Sequence, residues 1–556
     1  MRRMICVIAL LSVVLLALPA RAEPLAVGAV PRPAPGETVH EPPLPRGAER
    51  PSNAAASEGL VSMARDADSQ LVTPEEARTV ATNWIAQILH CQGKWGDAAT
   101  AVVVEVREFK LGEQLLGYFC RVEPLGYIIV SLRRQLEPVK AYAESSDLNP
   151  DANEGLADVI KGGMERILDA VEKEAGPIES APAQDVQRAL EIDYRSAWER
   201  LELPVDAFRR TLASGAGAMD DCQSGGVLVT STWDQDPPYN DQCPDMGCYE
   251  YSWNGRAKVG CMATAAAQIM RYWCWPPWGV DSPYNDFYDW PNMPDTLEPP
   301  PAPAWQQTQA VAELCSEVGL AGGVDYGCKE SGGPLGDVPL RKDMLDAYED
   351  HFRYDSGAVM LTRGSSTPAD TWFAWIRNEI DQSRPIQYRI DSSHILPLIN
   401  GHSMVVDGWR ISGGLKQYHV NYGWGDDLCG SHDCNCWYTL DSLHGSENVA
   451  AEMMLVGLKP VNSLGTWLSA GQYLPPSAFP YRYFDRDARG EDVLFDAGNH
   501  LQFRQGVQVL CNGTRIAFYG WSNAPTYLYS QAVWAKGIRI DSGHVYLFLD
   551  GGIRMY

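Results

Sequence analysis

After residue 22 the sequence has no uninterrupted apolar run of about 20 residues, so nothing there reads as a bilayer-spanning helix. It is also short of positive charge. Lys and Arg number 45 against 71 Asp and Glu, a net charge of −26. That balance excludes a nucleic-acid partner, which needs basic patches to displace counterions. It argues equally against docking on an anionic membrane surface, and it favours solubility. Composition is otherwise globular, 45% hydrophobic and 21% charged, and 556 residues suggest three or four domains.

Residues 1–22, "MRRMICVIALLSVVLLALPARA", have the marks of a signal peptide: a basic start, a short apolar core and an A-x-A site at Ala20–Ala22. The mature chain is therefore expected to be exported, secreted or periplasmic, with no transmembrane segment. Of 14 cysteines, Cys6 leaves with the signal and 13 remain. An oxidising compartment would pair most of them and leave at least one unpaired within the chain. Cys261 is the candidate for the odd thiol.

Residues 23–70 are rich in Pro, Ala, Glu and Gly and read as a disordered spacer. At "VTPEEARTVATNWIAQILH" the pattern turns helical, with Thr73 as cap and Pro74 at the first position. Three alternating stretches, "AVVVEVREFKL", "LLGYFCRVEP" and "GYIIVSL", then read as antiparallel strands. Residues 155–212 read as two or three further helices. Residues 213–226, "ASGAGAMDDCQSGG", are small and polar and form a candidate proteolytic boundary. Residues 227–460 are rich in Trp and Tyr. Residues 461–556 alternate with period two, and "VLFDAGNHLQFRQGVQVL" resembles "IRIDSGHVYLFLDGGIRMY". That weak repeat suggests an all-β module, a sandwich or a short solenoid.

The chemistry sits in the middle third. In "GCMATAAAQIM" (260–270) a cysteine opens a helix of small residues. A helix N-terminus lowers a thiol's pKa, and an imidazolium beside it lowers it further. The ordinary alternative is a buried core cysteine. In "NGHSMVVDGW" (400–409) His402 opens an apolar strand, 141 residues after Cys261. Standing alone it would read as a structural histidine. In "YHVNYGWGDD" (418–427) Asn421 ends a strand just before Trp424. A Cys–His pair needs a third group to hold the imidazole, and an Asn amide can do so. The three together, in this order, outweigh any one of them.

These motifs resemble those of the streptopain family, secreted bacterial cysteine peptidases of the papain clan. The likeness runs through "WPNMP" (290–294), "VDYGCKESGG" (324–333) and "LVGLKP" (455–460), covering roughly 230–460. A weaker likeness to that family's propeptide lies in "GYIIVSLRRQLEPVKAYAESSDL" (126–148). The resemblance implies an α+β fold: a papain-like two-subdomain peptidase at 227–460 and an α+β inhibitory propeptide with cleavage linker at 71–226, to which the alternation at 461–556 adds a small all-β module. It implies a zymogen that hydrolyses peptide bonds through an acyl-enzyme. Cys261 would be nucleophile, His402 general base and acid, Asn421 the orienting residue and Trp424 its cover. Tyr422 stands where the family commonly has a second Trp. Arg256 stands where a Gln oxyanion donor is sought. Ser331, Gly332 and Gly401 are candidate substrate contacts. Expected partners are protein or peptide substrates and the chain's own propeptide. No cofactor and no metal are expected. A catalytically inactive scaffold carrying the β-module, or another thiol acyl-transfer enzyme on the same fold, are the alternative functions.

"CGSHDCNC" (429–436) gathers Cys429, His432, Cys434 and Cys436, but with four and one intervening residues rather than zinc-site spacing, so disulfides are favoured. Cys91 with Cys120, and Cys243 with Cys248, are candidate pairs. The carboxylates of "DSPYNDFYDW" (281–290) lack EF-hand spacing, and Asn512-Gly513-Thr514 is a glycosylation sequon.

Overall fold

The computed structural model describes residues 70–215, 227–297 except 277, 304–336, 343–390 except 365, 401–425, 434–441, 443 and 452–461. Beyond them it describes the backbone of short strands between 463 and 555. The signal and spacer expected at 1–70 lie outside these residues apart from residue 70.

Helix α1 (Pro74–Gln92) begins as its sequence demands. Thr73 Oγ1 accepts from the Glu76 N–H, and Glu76 reaches back to the Thr73 N–H, a capping box closed at the other end by Gly93 in the left-handed region. Strands β1 (Val102–Leu111), β2 (Gln114–Glu123), β3 (Tyr127–Ser131) and β4 (Val139–Ala143) follow as an antiparallel meander. Four helices come next, one more than the sequence pattern suggested: α2 (Gly155–Ala175), α3 (Ala183–Arg188), α4 (Arg195–Leu201) and α5 (Val205–Ala213). The extra one arises because α3 and α4 are single short segments separated by a turn, too brief to show a 3.6-residue period.

Helix α6 (Cys261–Trp273) and helix α7 (Trp305–Ala321) pack on each other, and α8 (Ala369–Asp381) packs on the strand His402–Ser412. The strands of this part are β5 (Val359–Thr362), β6 (Ile386–Ile390), β7 (His402–Ser412), β8 (Leu415–Asn421), β9 (Cys436–Thr439) and β10 (Glu452–Val456). All ten strands form one antiparallel sheet in the order β1-β2-β3-β4-β9-β8-β7-β6-β10-β5. The two halves join where β4 pairs with β9, Ala141 opposite Tyr438 and Tyr142 opposite Trp437.

Period-two alternation sorts the side chains. On β7, Met404 and Val406 enter the core that contains α2 and α8, while Val405 enters the core built by α6 and α7. On β3, Ile129 faces the α2 side and Ile128 and Val130 face α1. The first core is continuous from the N-terminal strands to β7 and β8, so α2 lies behind the strand that begins with His402.

Two buried charge networks cross the β4–β9 junction. Lys140 pairs with Glu137 and Asp441 and lies 4.5 Å over the Tyr438 ring. Arg410 lies between Trp437 and Tyr142, 3.8 and 4.7 Å from the ring centroids, and donates to Glu144.

The strands after residue 462 pair differently. Ser463 pairs in parallel with Tyr483, and Tyr481 with His500, steps of 20 and 19 residues. Trp467 pairs with Arg489, and Ala488 with Val509, again in parallel. Three strands near the end (Gly537–Asp541, His544–Leu549 and Gly552–Met555) form an antiparallel meander. The two stretches with similar sequence are thus paired unlike each other.

Candidate active site

Cys261 is the first residue of α6. Gly260 before it takes φ +89, and a Cβ there would lie 2.8 Å from the Ser331 carbonyl oxygen, so only glycine lets the 325–333 loop sit this close. Cys120, Cys243, Cys261 and Cys315 are free thiols among the described residues. Cys261 is unpaired as expected, but it shares that state with other cysteines. What sets it apart is access: Cys120, Cys243 and Cys315 are buried and it is partly exposed. The proposed pairs are also corrected. Cys248 is bonded to Cys328, which leaves Cys243 free, and Cys91 is disulfide-bonded but not to Cys120. Burial in the sheet put Cys120 beyond reach of a surface partner. Cys434 is disulfide-bonded, which removes it as a metal ligand; Cys429 and His432 lie outside the described residues.

The sulfur of Cys261 accepts the main-chain N–H of Ser403 at 3.4 Å, which ties the start of α6 to the start of β7. Gln387 on β6 buttresses the pair, donating to the Met262 carbonyl at 3.0 Å and to Ser403 Oγ at 3.1 Å. His402 is 5% exposed. Its ring stacks on Trp424 with centroids 4.0 Å apart, and Tyr422 stacks on Trp424 at 5.5 Å.

His402 Nε2 lies 2.9 Å from the main-chain carbonyl oxygen of Tyr422. As donor to that oxygen, Nε2 carries the proton, and a neutral ring keeps its lone pair on Nδ1. The orienting bond expected from Asn421 is thus made by a neighbouring carbonyl. The reason is strand alternation. Tyr418 and Val420 face α2, so Asn421 at the end of β8 points the other way, toward α6. There it exchanges two hydrogen bonds with Gln268, at 3.1 and 3.2 Å. It also donates to the Ser231 carbonyl at 2.7 Å and accepts from the Gly423 N–H at 3.0 Å. Gly423, at φ +68, lets this turn approach Thr264 on α6, where a Cβ would meet Cγ2 at 3.0 Å.

Arg256 is not at the sulfur. It bridges to Asp245, and its guanidinium donates to the Cys243 carbonyl at 2.5 Å, so the oxyanion role considered for it has no support. Ser331 Oγ accepts the Gly327 N–H at 3.0 Å, and Gly332 exchanges both main-chain bonds with Asp325. Both residues hold their own loop in shape, and the substrate contacts expected of them are not offered by these groups. Gly401, half-buried at φ +134, precedes His402.

Gln235 was missed. It is 8% exposed, its carbonyl accepts the Val259 N–H at 3.0 Å, and its Nε2 reaches the Gly423 carbonyl at 3.4 Å. It lies 26 positions before Cys261, and nothing in "TWDQDPPYN" marks it. Gln268 did leave a signal, as a polar residue two turns after Cys261 in a helix otherwise apolar but for Thr264 and Arg271.

Burial dominates the electrostatics. It pushes the Cys261 thiol up, against the pull of the Ser403 N–H and the Arg389 charge. It pushes His402 down to about 4. At neutral pH this closed arrangement favours the uncharged thiol and imidazole over the expected ion pair.

A thiol on a helix terminus, its sulfur on the main chain next to a histidine at a strand mouth with aromatics stacked on that histidine, suits a thiol hydrolase, and this chain is a cysteine-type peptidase. Residues 233–432 of the chain match the model of the Peptidase C10 family. It is 26% identical over 377 residues to streptopain of Streptococcus pyogenes serotype M1, covering 63% of this chain and 80% of that one. It is 24% identical over 333 residues to the thiol protease/hemagglutinin PrtT of Porphyromonas gingivalis, covering 56% of this chain and 33% of that one. Among solved structures it resembles a fragment of Prevotella intermedia prointerpain A, with a TM-score of 0.45 and 21% identity, covering 64% and 98% of the two chains. No helix of the described residues is long and apolar enough to cross a membrane.

Proposed function

We propose that the chain is an exported cysteine endopeptidase made as a zymogen, with Cys261 as nucleophile and His402 as general base and acid. The observation that carries this is the meeting of the Cys261 sulfur with the Ser403 N–H, one residue from an imidazole whose Nε2 is already committed to the Tyr422 carbonyl. Nδ1 of His402 accepts the thiol proton as the sulfur attacks a peptide carbonyl. The tetrahedral oxyanion is held by the Cys261 N–H and the Gln235 amide. His402 returns the proton to the leaving amine, and water then attacks the thioester by the same route, releasing the acid and restoring the thiol. Asn421 supports the turn that carries the Tyr422 carbonyl, and Trp424 keeps water from the imidazole.

On this reading the peptidase part, 227–460, has the two-subdomain papain-like arrangement, α6 and α7 on one side and the β5–β10 sheet on the other. The part before it, 71–226, is the inhibitory propeptide. The uncharged thiol and imidazole suit a latent form, and the shared sheet gives the N-terminal part a large contact with the peptidase. Cleavage within 213–226 releases it. The signal-like residues 1–22 direct export, and the segment after 461 is a small β-solenoid cap.

The test compares the full chain with a form starting near residue 227. The shorter form should hydrolyse a peptide and take up an epoxide thiol-protease inhibitor on Cys261, with labelling lost in His402→Ala. Equal activity of the two forms rejects the zymogen. Absence of both labelling and hydrolysis in the shorter form rejects the peptidase assignment of these residues.

A further inference from the structure

The loop 243–256 carries the largest exposed aromatics near the site. Tyr249 is 70% exposed, Trp253 63%, Met246 52% and Tyr251 47%. Such side chains normally bury their area against something.

This loop is not loose. The N–H groups of Met246 and Cys248 both donate to the Gly255 carbonyl, and those of Tyr251 and Ser252 donate to the Cys248 carbonyl. Asn254 donates to Asn240 and Asp241, and accepts from Ser252 Oγ at 2.6 Å. A Cβ on Gly255 would lie 2.6 Å from the Tyr249 ring, so that ring is seated on the glycine. The loop backbone and the Tyr249 ring are therefore held in place before any partner arrives, which lowers the entropy lost on binding.

The loop is also fastened to the site. Cys248 is bonded to Cys328, and the neighbouring Gly327 carbonyl accepts the Lys258 N–H at 3.2 Å. Gly327 holds Ser331, and Ser331 packs on Gly260 beside Cys261. A continuous set of short contacts thus joins the aromatic loop to the start of α6. Asp245 and Glu250 stand exposed among the aromatics and add negative charge.

We propose that this stapled loop is a docking surface for the polypeptide substrate beyond the scissile bond, selecting extended chains with apolar and basic side chains. The inference rests on the peptidase reading above. Aromatic faces receive apolar and cationic side chains, and Asp245 and Glu250 complement the basic ones. The surface is exposed with the N-terminal strands and helices in place, so it takes up substrate in the intact chain.

The test uses the full chain carrying Cys261→Ala, which cannot consume the probe. The probe is dye-labelled, reduced and carboxamidomethylated lysozyme, a permanently unfolded basic chain, with binding read by fluorescence polarisation. Tyr249→Ser/Tyr251→Ser/Trp253→Ser should weaken binding tenfold or more, and Trp253→Ser alone at least threefold, with thermal unfolding unchanged. In the active form the triple variant should raise KM for the same protein tenfold. Cleavage of a four-residue fluorogenic peptide should stay within twofold. Unchanged binding of the unfolded probe overturns the proposal. Binding of dextran at these aromatics in its place also overturns it. A parent chain that hydrolyses neither substrate defeats the peptidase reading, while the binding comparison still decides the docking surface.

Discussion

His402 is held by the main-chain carbonyl of Tyr422, at 2.9 Å from Nε2, and not by the side chain of Asn421. A carbonyl cannot be deleted by substitution, so the imidazole's tautomer is protected against change at either position. The Asn421 amide instead joins β8 to α6 through Gln268 and Ser231.

Asn421→Ala should therefore act mainly on stability. It leaves the Ser231 carbonyl, the Gly423 N–H and the Gln268 amide without their buried partner, each unmade bond costing roughly 1–3 kcal/mol. Denaturant titration should show a loss of about 3 kcal/mol, within the range of a broken buried network. The acid limb of the pH profile for kcat/KM should move by less than about half a unit. A larger shift would mean that Asn421 sets the tautomer directly.

Trp424 covers the imidazole at 4.0 Å. Burial is what lowers His402 to about 4, so Trp424→Ala should let its pKa rise toward the ordinary 6.5. NMR titration of His402 in the Cys261→Ala background would measure it. No rise would assign the depression to another part of the fold.

The Gln235 main-chain carbonyl accepts the N–H of Val259, two positions before Cys261, and its buried side-chain amide reaches the Gly423 carbonyl. Gln235→Ala should lower kcat by roughly 10²–10³, the usual loss for one oxyanion donor. Arg256→Ala should leave kcat nearly unchanged, because its guanidinium is engaged at Cys243. The reverse ranking in steady-state kinetics would return the oxyanion role to Arg256.

Stability should depend on pH through two opposed groups. His402 is lowered from 6.5 to about 4, so the unfolded chain binds its proton more readily. Its contribution is full above pH 6.5 and is lost as pH falls toward 4, amounting to about 3 kcal/mol. Glu313 and Glu317 are raised from 4.5 to about 7, chiefly by burial, with Asp286 adding repulsion. Their contribution is full below pH 4.5 and is lost as pH rises through 7. Urea titrations should show His402→Gln flattening the acid side and Glu317→Gln flattening the side between 4.5 and 7. Parallel curves for either variant would contradict the corresponding assignment.

Lys140 is enclosed by Glu137, Asp441 and Tyr438 where β4 meets β9. Lys140→Ala leaves two buried carboxylates without a cation, and breaking such a pair typically costs about 3–5 kcal/mol. Lys140→Ala/Asp441→Ala should recover part of that loss in a double-mutant cycle. Additive losses would show that the two residues are not coupled.

The helix at Thr73 was legible because capping is local: Thr73, Pro74 and Glu76 specify the turn by themselves. So were β1–β3, the helix at Cys261, the strand opened by His402 and the strand closed by Asn421, since each shows its own period and punctuation. The family motifs were legible for the same reason, being short and contiguous. Contacts between distant segments were not. The pairing of Cys248 with Cys328 depends on two loops meeting. The partner of Asn421 depends on which face of β8 it occupies once β8 lies between β7 and β9. The Arg256 guanidinium turned to Cys243 because a bridge with Asp245 fixed its backbone. Sequence by itself determined which residues could do thiol chemistry and in what local elements they stand. Only the tertiary structure decided who orients His402, which charges face each other across the sheet, and that burial pushes the Cys261 thiol up and the His402 imidazole down. Strand alternation and burial act through neighbours far away in the chain.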